Sequence, residues 1–214
     1  MHILFDLDGT LTDSYQGITK CISHALKMMG RSVPPPMSLR WCIGPPLKQS
    51  FSKLLDTDNE HLVQEALSIY RERFGSIGLF ENEVYDNIPE TLKTLKDHNH
   101  TLYVATSKPR IYAERIIDHS SLRQYFNGVY GSELDGTRSD KSSLISHILQ
   151  SESINSTKAA MIGDREYDMI GAKGNGVRGF GVLWGFGTKE ELEASGAYTC
   201  INKPEDLVTT FNKL

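Results

Sequence analysis

A regular alternation of short apolar segments with amphipathic segments of helical length constrains the fold more than any other feature of the sequence. Strands separated by helices of this length are typical of βαβ units, whose parallel strands join one sheet. We therefore predict an α/β fold in which a parallel sheet carries helices on both faces. The predicted strands are residues 2–6, 101–107, 128–131, 159–164 and 178–184, and the predicted helices are residues 89–98, 109–119, 141–150 and 166–173.

One region interrupts this alternation, because residues 15–81 contain helical patterns and no convincing strand. Apolar residues recur at helical spacing in three segments, and turn-rich sequence separates these segments. The predicted helices of this region are residues 15–29, 46–55 and 60–74. We predict that residues 1–14 and 82–214 form the core domain and that residues 15–81 form an inserted all-helical domain.

Composition excludes several classes of protein. The formal net charge of the 214-residue chain is −4, which argues against a nucleic-acid polymer as partner. The three cysteines form no CxxC pattern and are typical of reduced thiols. No apolar segment has the length that a membrane span requires. We expect a cytoplasmic protein without membrane or nucleic-acid partners, either a monomer or a weak homo-oligomer.

Polar side chains stand where three of the predicted strands end. Asp6 ends the first strand, Thr106 and Ser107 end the second, and Asp164 ends the strand at 159–164, with Asp168 four residues further on. The carboxyl ends of parallel strands meet at one crevice. Two carboxylates 4 Å apart repel each other by about 4 kcal/mol at an effective dielectric of 20, so the cluster requires a cation or shared protons. Carboxylate oxygens without nearby His or Cys favour Mg²⁺ over zinc.

A purely structural interpretation of these residues also exists. An Asp after a strand is common in turns and helix caps, and Gly9 with Thr10 is ordinary turn chemistry. Lys141 lies in the first turn of a predicted helix, where the helix dipole disfavours a cation. Such a lysine is solvated when it stands alone, but close to phosphate and several carboxylates it becomes a neutralising group. The presence of polar residues at three strand ends favours the functional interpretation.

Four motifs, in chain order, resemble those of the haloacid dehalogenase-like hydrolase superfamily, in its branch of phosphatases with a helical cap. They are DLDGTLTDS (residues 6–14), VATSKP (104–109), Lys141 within DGTRSDKSS, and IGDREYD (162–168). The resemblance covers essentially the full chain and implies a Rossmann-like core, an inserted all-α cap and a Mg²⁺-dependent phosphatase. IGPPL (43–47), GSELDGTRSDK (131–141) and LWGFGTKEEL (183–192) resemble the phosphoglycolate phosphatase and 5′-nucleotidase-like group, and Ser107 favours the nucleotidase-like members.

The resemblance also implies a role for each motif residue. Asp6 is the nucleophile that forms an aspartyl-phosphate, and Asp8 is the general acid and base. Asp6, Asp164 and the main-chain carbonyl of Asp8 are the expected ligands of Mg²⁺, and Asp168 supports them. The catalytic lysine is Lys141. The expected phosphate-binding residues are Gly9, Thr10, Thr106, Ser107 and Lys141, together with the main-chain amides of residues 7–10.

Other chemistries within the superfamily are less compatible with the sequence. Halide-releasing and phosphonate-cleaving relatives do not need the acid that Asp8 provides, and sugar-phosphate mutases usually lack an Asp at position 168. Two alternatives stay open, a phosphomutase and a non-catalytic phosphate-binding module. Near the IGPP turn, Arg40, Trp41 and Lys48 are candidate specificity residues for a small phosphate ester, although a surface role is the default for each.

Overall fold

The computed structural model describes residues 1–212 of the chain. Its strands are β1 (His2–Phe5), β2 (Thr12–Asp13), β3 (Glu83–Val84), β4 (Thr101–Pro109), β5 (Gly128–Ser132), β6 (Ala159–Gly163), β7 (Arg178–Val182) and β8 (Thr199–Ile201). Its α-helices are α1 (Tyr15–Met28), α2 (Leu47–Leu55), α3 (Glu60–Ser76), α4 (Ile88–Asp97), α5 (Arg110–His119), α6 (Lys141–Ser151), α7 (Glu166–Gly174), α8 (Lys189–Ala194) and α9 (Asp206–Phe211).

Six of the strands form one parallel sheet in the order β5-β4-β1-β6-β7-β8. The chain moves outward from β1 to β4 and β5, and then returns to the other side of β1 to form β6, β7 and β8. The carboxyl end of β1 therefore lies where the strand order reverses, which is where ligands bind in open sheets of this kind. The predicted parallel α/β core is confirmed.

Alternating side chains of the central strands cover the two faces of the sheet. On one face, Leu4, Tyr103 and Met161 belong to a buried cluster to which α6 and α7 contribute. On the other face, the ring of Phe5 contacts Phe126, and Phe180 of β7 contacts Phe211 of α9. A fully buried Leu or Phe side chain contributes about 1.5–3 kcal/mol, so burial on both faces holds the strands, and the loops that follow them, in place.

The chain divides into two compact units, Met1–Asp13 with Val84–Leu214, and Ser14–Glu83. The second unit contains α1, α2 and α3, and its core includes Phe51 stacked edge-on against Tyr70. The predicted insertion, residues 15–81, falls inside this unit. Its role as a cap stays a prediction.

Some local predictions were wrong at the strand ends. The predicted strand 101–107 continues to Pro109, and α5 begins at Arg110, so Pro109 precedes the helix instead of opening it. Strands β1 and β6 end one residue before Asp6 and Asp164, which therefore belong to the loops that follow. The sequence interpretation also missed β8, α8 and α9, which have three to six residues each.

Candidate active site

The predicted core residues lie at the carboxyl ends of the three central strands. Asp6 follows β1, Asp164 follows β6, and Thr106 lies near the end of β4. Lys141 opens α6, and Asp168 lies in the first turn of α7. All five residues are buried, with at most 6% of any of them exposed.

Three carboxylates and one lysine form what we call the acidic cluster, consisting of Asp6, Asp164, Asp168 and Lys141. The carboxylates each have an oxygen within 4.8 Å of the others. Lys141 Nζ lies 3.0 Å from Asp6 Oδ1 and 2.7 Å from Asp168 Oδ1, and donates to the Ala105 carbonyl oxygen at 2.9 Å. An ammonium group has three donors, so these partners use all of them. Lys141 therefore holds the carboxylates in place as well as neutralising one charge.

The electrostatics of the acidic cluster show a shortage of positive charge. Burial raises the pKa of Asp6 to about 6, helped by Asp168 and Asp8 and opposed by Lys141. Burial, together with Asp6 and Asp168, raises the pKa of Asp164 well above its ordinary value. Burial alone would lower the pKa of Lys141, but Asp168 and Asp6 outweigh it and raise that pKa. One lysine thus compensates three carboxylates only in part.

The donor set of the acidic cluster fits a hard divalent cation such as Mg²⁺, because it consists of carboxylate oxygens. Asp164 is held by hydrogen bonds to both oxygens, from Thr10 Oγ1 at 3.2 Å and from the Phe186 amide at 2.8 Å. Gly9 has a φ of +82°, and a Cβ there would lie 2.2 Å from Asp164 Oδ2. The loop after β1 therefore requires glycine at this position to let Asp164 approach.

Asp168 has a supporting place in this arrangement. One of its oxygens pairs with Lys141, and the other accepts a hydrogen bond from the Arg165 amide at 3.2 Å. Both oxygens therefore have partners from the chain. Asp168 therefore anchors Lys141, and the assignment of Asp6 and Asp164 as the direct ligands of a cation stays a prediction.

A second charged group, which we call the Asp8–Lys108 pair, was not predicted. Lys108 Nζ lies 2.9 Å from Asp8 Oδ2, and only 7% of the lysine side chain and 12% of the aspartate side chain are exposed. Lys108 stands two residues after Thr106, and alternate residues of a strand share a face. That spacing is a sequence signal that could have identified this lysine.

The predicted phosphate-binding residues divide into two groups. The amides of Gly9 and Thr10 already donate within the loop, to the carbonyls of Thr12 at 2.8 Å and Leu7 at 3.3 Å. The hydroxyl of Thr10 donates to Asp164. These donors serve the loop itself, and a role of Gly9 and Thr10 in binding phosphate stays a prediction. Thr106 forms the second group and is buried. Its Oγ1 accepts a hydrogen bond from the Lys108 amide at 3.2 Å.

The candidate specificity residues belong to the inserted unit. Arg40 and Trp41 lie in a 3₁₀ helix, Pro36–Cys42, and both are exposed. Lys53 Nζ stands 5.6 Å from the centre of the Trp41 ring. Lys48 forms an exposed ion pair with Glu60 at 2.8 Å. A role of these residues in specificity stays a prediction.

The chain belongs to the haloacid dehalogenase-like hydrolase family, whose model matches residues 3–182. This confirms the family that the four motifs indicated, and with it the predicted hydrolase class. Within the described residues, no helix is both long enough and apolar enough to span a membrane.

Two relatives share close to half of their residues with this chain. A 5′-nucleotidase of Pseudomonas aeruginosa is 49% identical over 193 residues, which are 90% of this chain and 87% of the relative. The crystal structure of a predicted phosphatase from Clostridium acetobutylicum is 44% identical, has a TM-score of 0.95, and aligns over 100% of this chain and 98% of that chain.

More distant relatives carry other names. A phosphoglycolate phosphatase of Colwellia psychrerythraea is 24% identical over 219 residues, which are 99% of this chain and 94% of the relative. The tyrosine-protein kinase PtkA of Mycobacterium tuberculosis is 32% identical over 191 residues, which are 89% of this chain but only 65% of the kinase. The relatives thus share phosphoryl chemistry while their named activities differ.

Proposed function

We propose that this protein is a Mg²⁺-dependent phosphatase that hydrolyses a small phosphomonoester through an aspartyl-phosphate on Asp6. The observation that carries the proposal is the acidic cluster, in which buried carboxylates surround one lysine at the carboxyl ends of the central strands. Asp6 and Asp164 would hold Mg²⁺ together with the main-chain carbonyl of Asp8. When bound, the cation compensates the charge of the carboxylates and of the phosphate.

In the first half of the reaction, Asp6 attacks phosphorus in line with the leaving oxygen. The bond between phosphorus and the leaving oxygen breaks, and Asp8 gives that oxygen a proton. Lys141 fixes the orientation of Asp6 through the contact at 3.0 Å. The side chain of Thr106 and the amides that the loop does not use are available for the equatorial phosphate oxygens.

In the second half, a water molecule attacks the phosphorus of the aspartyl-phosphate. Asp8 takes a proton from this water, the bond between phosphorus and the Asp6 oxygen breaks, and its electron pair returns to the Asp6 carboxylate. Inorganic phosphate leaves, and both aspartates are restored. One carboxylate therefore serves as nucleophile while the other moves the proton in both halves.

The identity of 49% to a 5′-nucleotidase supports a nucleoside 5′-monophosphate as the substrate. The phosphoglycolate phosphatase relative supports a smaller phosphate ester as the second candidate.

The buried Asp8–Lys108 pair argues against a binding module without catalytic activity, because a module that only binds phosphate has no use for a residue that transfers protons. A cytoplasmic location and a monomeric or weakly associated state are part of the same proposal, and the free thiols of Cys21, Cys42 and Cys200 are consistent with that location.

The test is release of inorganic phosphate from a panel of nucleoside 5′-monophosphates, phosphoglycolate and sugar phosphates. We expect turnover with Mg²⁺ or Mn²⁺, much less with Ca²⁺, and none in excess chelator. Calcium takes more ligands at longer distances, which spoils in-line attack. Full activity in excess chelator contradicts the metal assignment. Transfer of the phosphoryl group to a second hydroxyl of the substrate, without phosphate release, indicates a mutase instead.

A further inference from the structure

Strand β4 is irregular immediately beside the site. Thr106 lies opposite Gly131 of β5, and Pro109 lies opposite the next residue, Ser132. Two residues of β4, Ser107 and Lys108, are therefore inserted between positions that pair with consecutive residues of β5. Bulges of this kind redirect side chains and are frequent beside active sites.

Contacts within the core fix the shape of this bulge. Ser132 Oγ donates to the Ser107 carbonyl at 2.8 Å, and the Lys108 amide donates to Thr106 Oγ1 at 3.2 Å. Gly131 lets the two chains approach closely, since a Cβ there would lie 2.5 Å from the Lys108 carbonyl oxygen. The bulge thus presents Lys108 from a rigid part of the sheet.

The two oxygens of Asp8 have different surroundings. Oδ2 pairs with Lys108 Nζ at 2.9 Å, whereas Oδ1 is buried and has no hydrogen-bond partner within residues 1–212. A buried acceptor without a partner is costly, so such an atom is expected to be completed by a ligand. An ammonium group only donates, so the oxygen that it contacts cannot direct a proton towards it. Of the two Asp8 oxygens, Oδ1 is therefore the one that no donor of the described residues occupies.

We propose that Lys108 is a positioning residue for proton transfer, which holds Oδ2 of Asp8 so that Oδ1 alone exchanges the proton. This inference rests on the proposed phosphatase function. In the first half-reaction, the Oδ1 proton passes to the leaving oxygen as that oxygen's bond to phosphorus breaks. In the second half-reaction, Oδ1 receives a proton from the water that attacks the aspartyl-phosphate. Lys108 touches neither reacting atom and acts through Asp8.

The experiment compares two esters by rapid mixing in saturating Mg²⁺. Adenosine 5′-monophosphate has a basic alkoxide leaving group that needs the proton, and p-nitrophenyl phosphate has an acidic phenol that does not. For Lys108→Met we expect the rate of phosphoenzyme formation to fall about 10–100-fold with the nucleotide, within the range for acid–base assistance, and less than about 3-fold with the aryl ester. Hydrolysis of the phosphoenzyme should slow for both esters, and KM should stay within about 3-fold.

Three companion variants separate positioning from other roles. Lys108→Arg keeps a cationic donor and should restore part of the nucleotide rate. Lys93→Met removes an exposed lysine that pairs with Asp97 at 2.6 Å, and should leave every rate unchanged. Combining Lys108→Met with Asp8→Asn should cost no more than Asp8→Asn alone, because a residue that acts through another is silent once its partner is gone.

Each result decides the proposal. Phosphoenzyme formation that slows equally with both esters, a rise in KM for both, or a multiplicative effect in the double variant shows that Lys108 binds phosphate or acts independently of Asp8. If Lys108→Met does not fold, Lys108→Arg supplies the test. Slower phosphoenzyme formation with the nucleotide but not with the aryl ester supports the proposal, and equal slowing with both esters overturns it. If the wild type forms no phosphoenzyme on Asp6, the proposed function fails before Lys108 is tested.

Discussion

The acidic cluster and the Asp8–Lys108 pair begin two residues apart on the loop after β1, yet their charges are balanced differently. In the acidic cluster, three carboxylates share one lysine, and burial raises the pKa of Asp6 to about 6. In the Asp8–Lys108 pair, one carboxylate faces one lysine at 2.9 Å. The first group has more negative than positive charge, while the two charges of the second group balance each other.

The proposed mechanism gives these neighbouring carboxylates two different roles. A nucleophile gains from a site in which a metal and a lysine hold it ionised close to an anionic substrate. A proton shuttle gains from a site in which one oxygen is fixed and the other is free to exchange its proton. Substitution of Asp6 and of Asp8 should therefore give different kinetic results and opposite changes in the stability of the metal-free protein.

The largest expected effect belongs to the nucleophile. Asp6→Asn should lower turnover of every ester by more than about 10⁴-fold, as expected for loss of a group that acts covalently. No phosphoenzyme should form with either alkyl or aryl esters. The measurement is phosphate release combined with intact-protein mass after acid quench. A phosphorylated species in Asp6→Asn would place the nucleophile elsewhere.

The next effect concerns the cation. Asp164→Asn removes a side chain that would hold Mg²⁺ and should raise the Mg²⁺ concentration needed for half-maximal thermal stabilisation by about 100-fold. Asp168→Asn should raise it about 10–100-fold, through disorder around Lys141. Asp8→Asn should leave this concentration within about 3-fold of wild type, since its expected contact with the metal is through the main chain. If Asp8→Asn raised this Mg²⁺ concentration as much as Asp164→Asn does, the Asp8 side chain would belong to the metal site, and the two charged groups would not be separate.

Stability of the metal-free protein should respond in opposite directions. A folded-state pKa of about 6 against an ordinary 3.8 means that ionising Asp6 costs about 3 kcal/mol of stability in the absence of metal. The cost is absent below pH 4, grows as the pH rises, and is complete above pH 6. In chelator at pH 7, Asp6→Asn should therefore raise the free energy of unfolding by about 1–3 kcal/mol, and this gain should shrink as the pH falls towards 4.

Asp8→Asn is the matched control for this comparison. It removes the negative charge that faces Lys108 at 2.9 Å, so it should lower the free energy of unfolding by about 1–3 kcal/mol. Urea unfolding in chelator measures both variants. Equal destabilisation by the two substitutions would contradict the difference in charge balance.

The smallest expected effects are those of the inserted unit. Alanine at Arg40, Trp41 or Lys48 should change the ratio of kcat/KM between nucleotides, phosphoglycolate and sugar phosphates by a few-fold, if the insertion acts as a lid that selects substrates. The effect is therefore measured as a change in the ratio of kcat/KM between substrates. A common factor for all substrates would show that these residues are structural.

The sequence predicted that the core residues of the candidate site lie together, because these residues are tied to strand ends. Asp6 and Asp164 each follow an apolar strand directly, and parallel strands bring such positions together whatever the details of packing. Lys141 was predicted from the resemblance and from its unfavourable place in a helix N-terminus. Lys108 was missed because its orientation depends on a bulge in β4, and the register with β5 that creates the bulge is set by pairing between strands.

The short elements at the end of the chain were missed for a related reason. Strand β8 and helices α8 and α9 have too few residues to show a period, and their formation depends on packing, as in the contact of Phe180 with Phe211. The inserted helices were predicted from long periodic patterns. The substrate specificity of the inserted unit could not be predicted in the same way, because specificity depends on the shape of a binding surface and not on hydrophobic periodicity.

The central claim, that Asp6 and Asp8 carry out different steps, is tested most directly by Asp8→Asn with p-nitrophenyl phosphate. The account predicts a burst of one equivalent of phenol, followed by slow turnover and accumulation of phosphate on Asp6, detected by acid quench and peptide mass. With adenosine 5′-monophosphate the same variant should lose about 10²–10⁴-fold in rate without accumulating phosphoenzyme. Equal loss with both esters and no burst would contradict the claim and make Asp8 a structural residue of the loop.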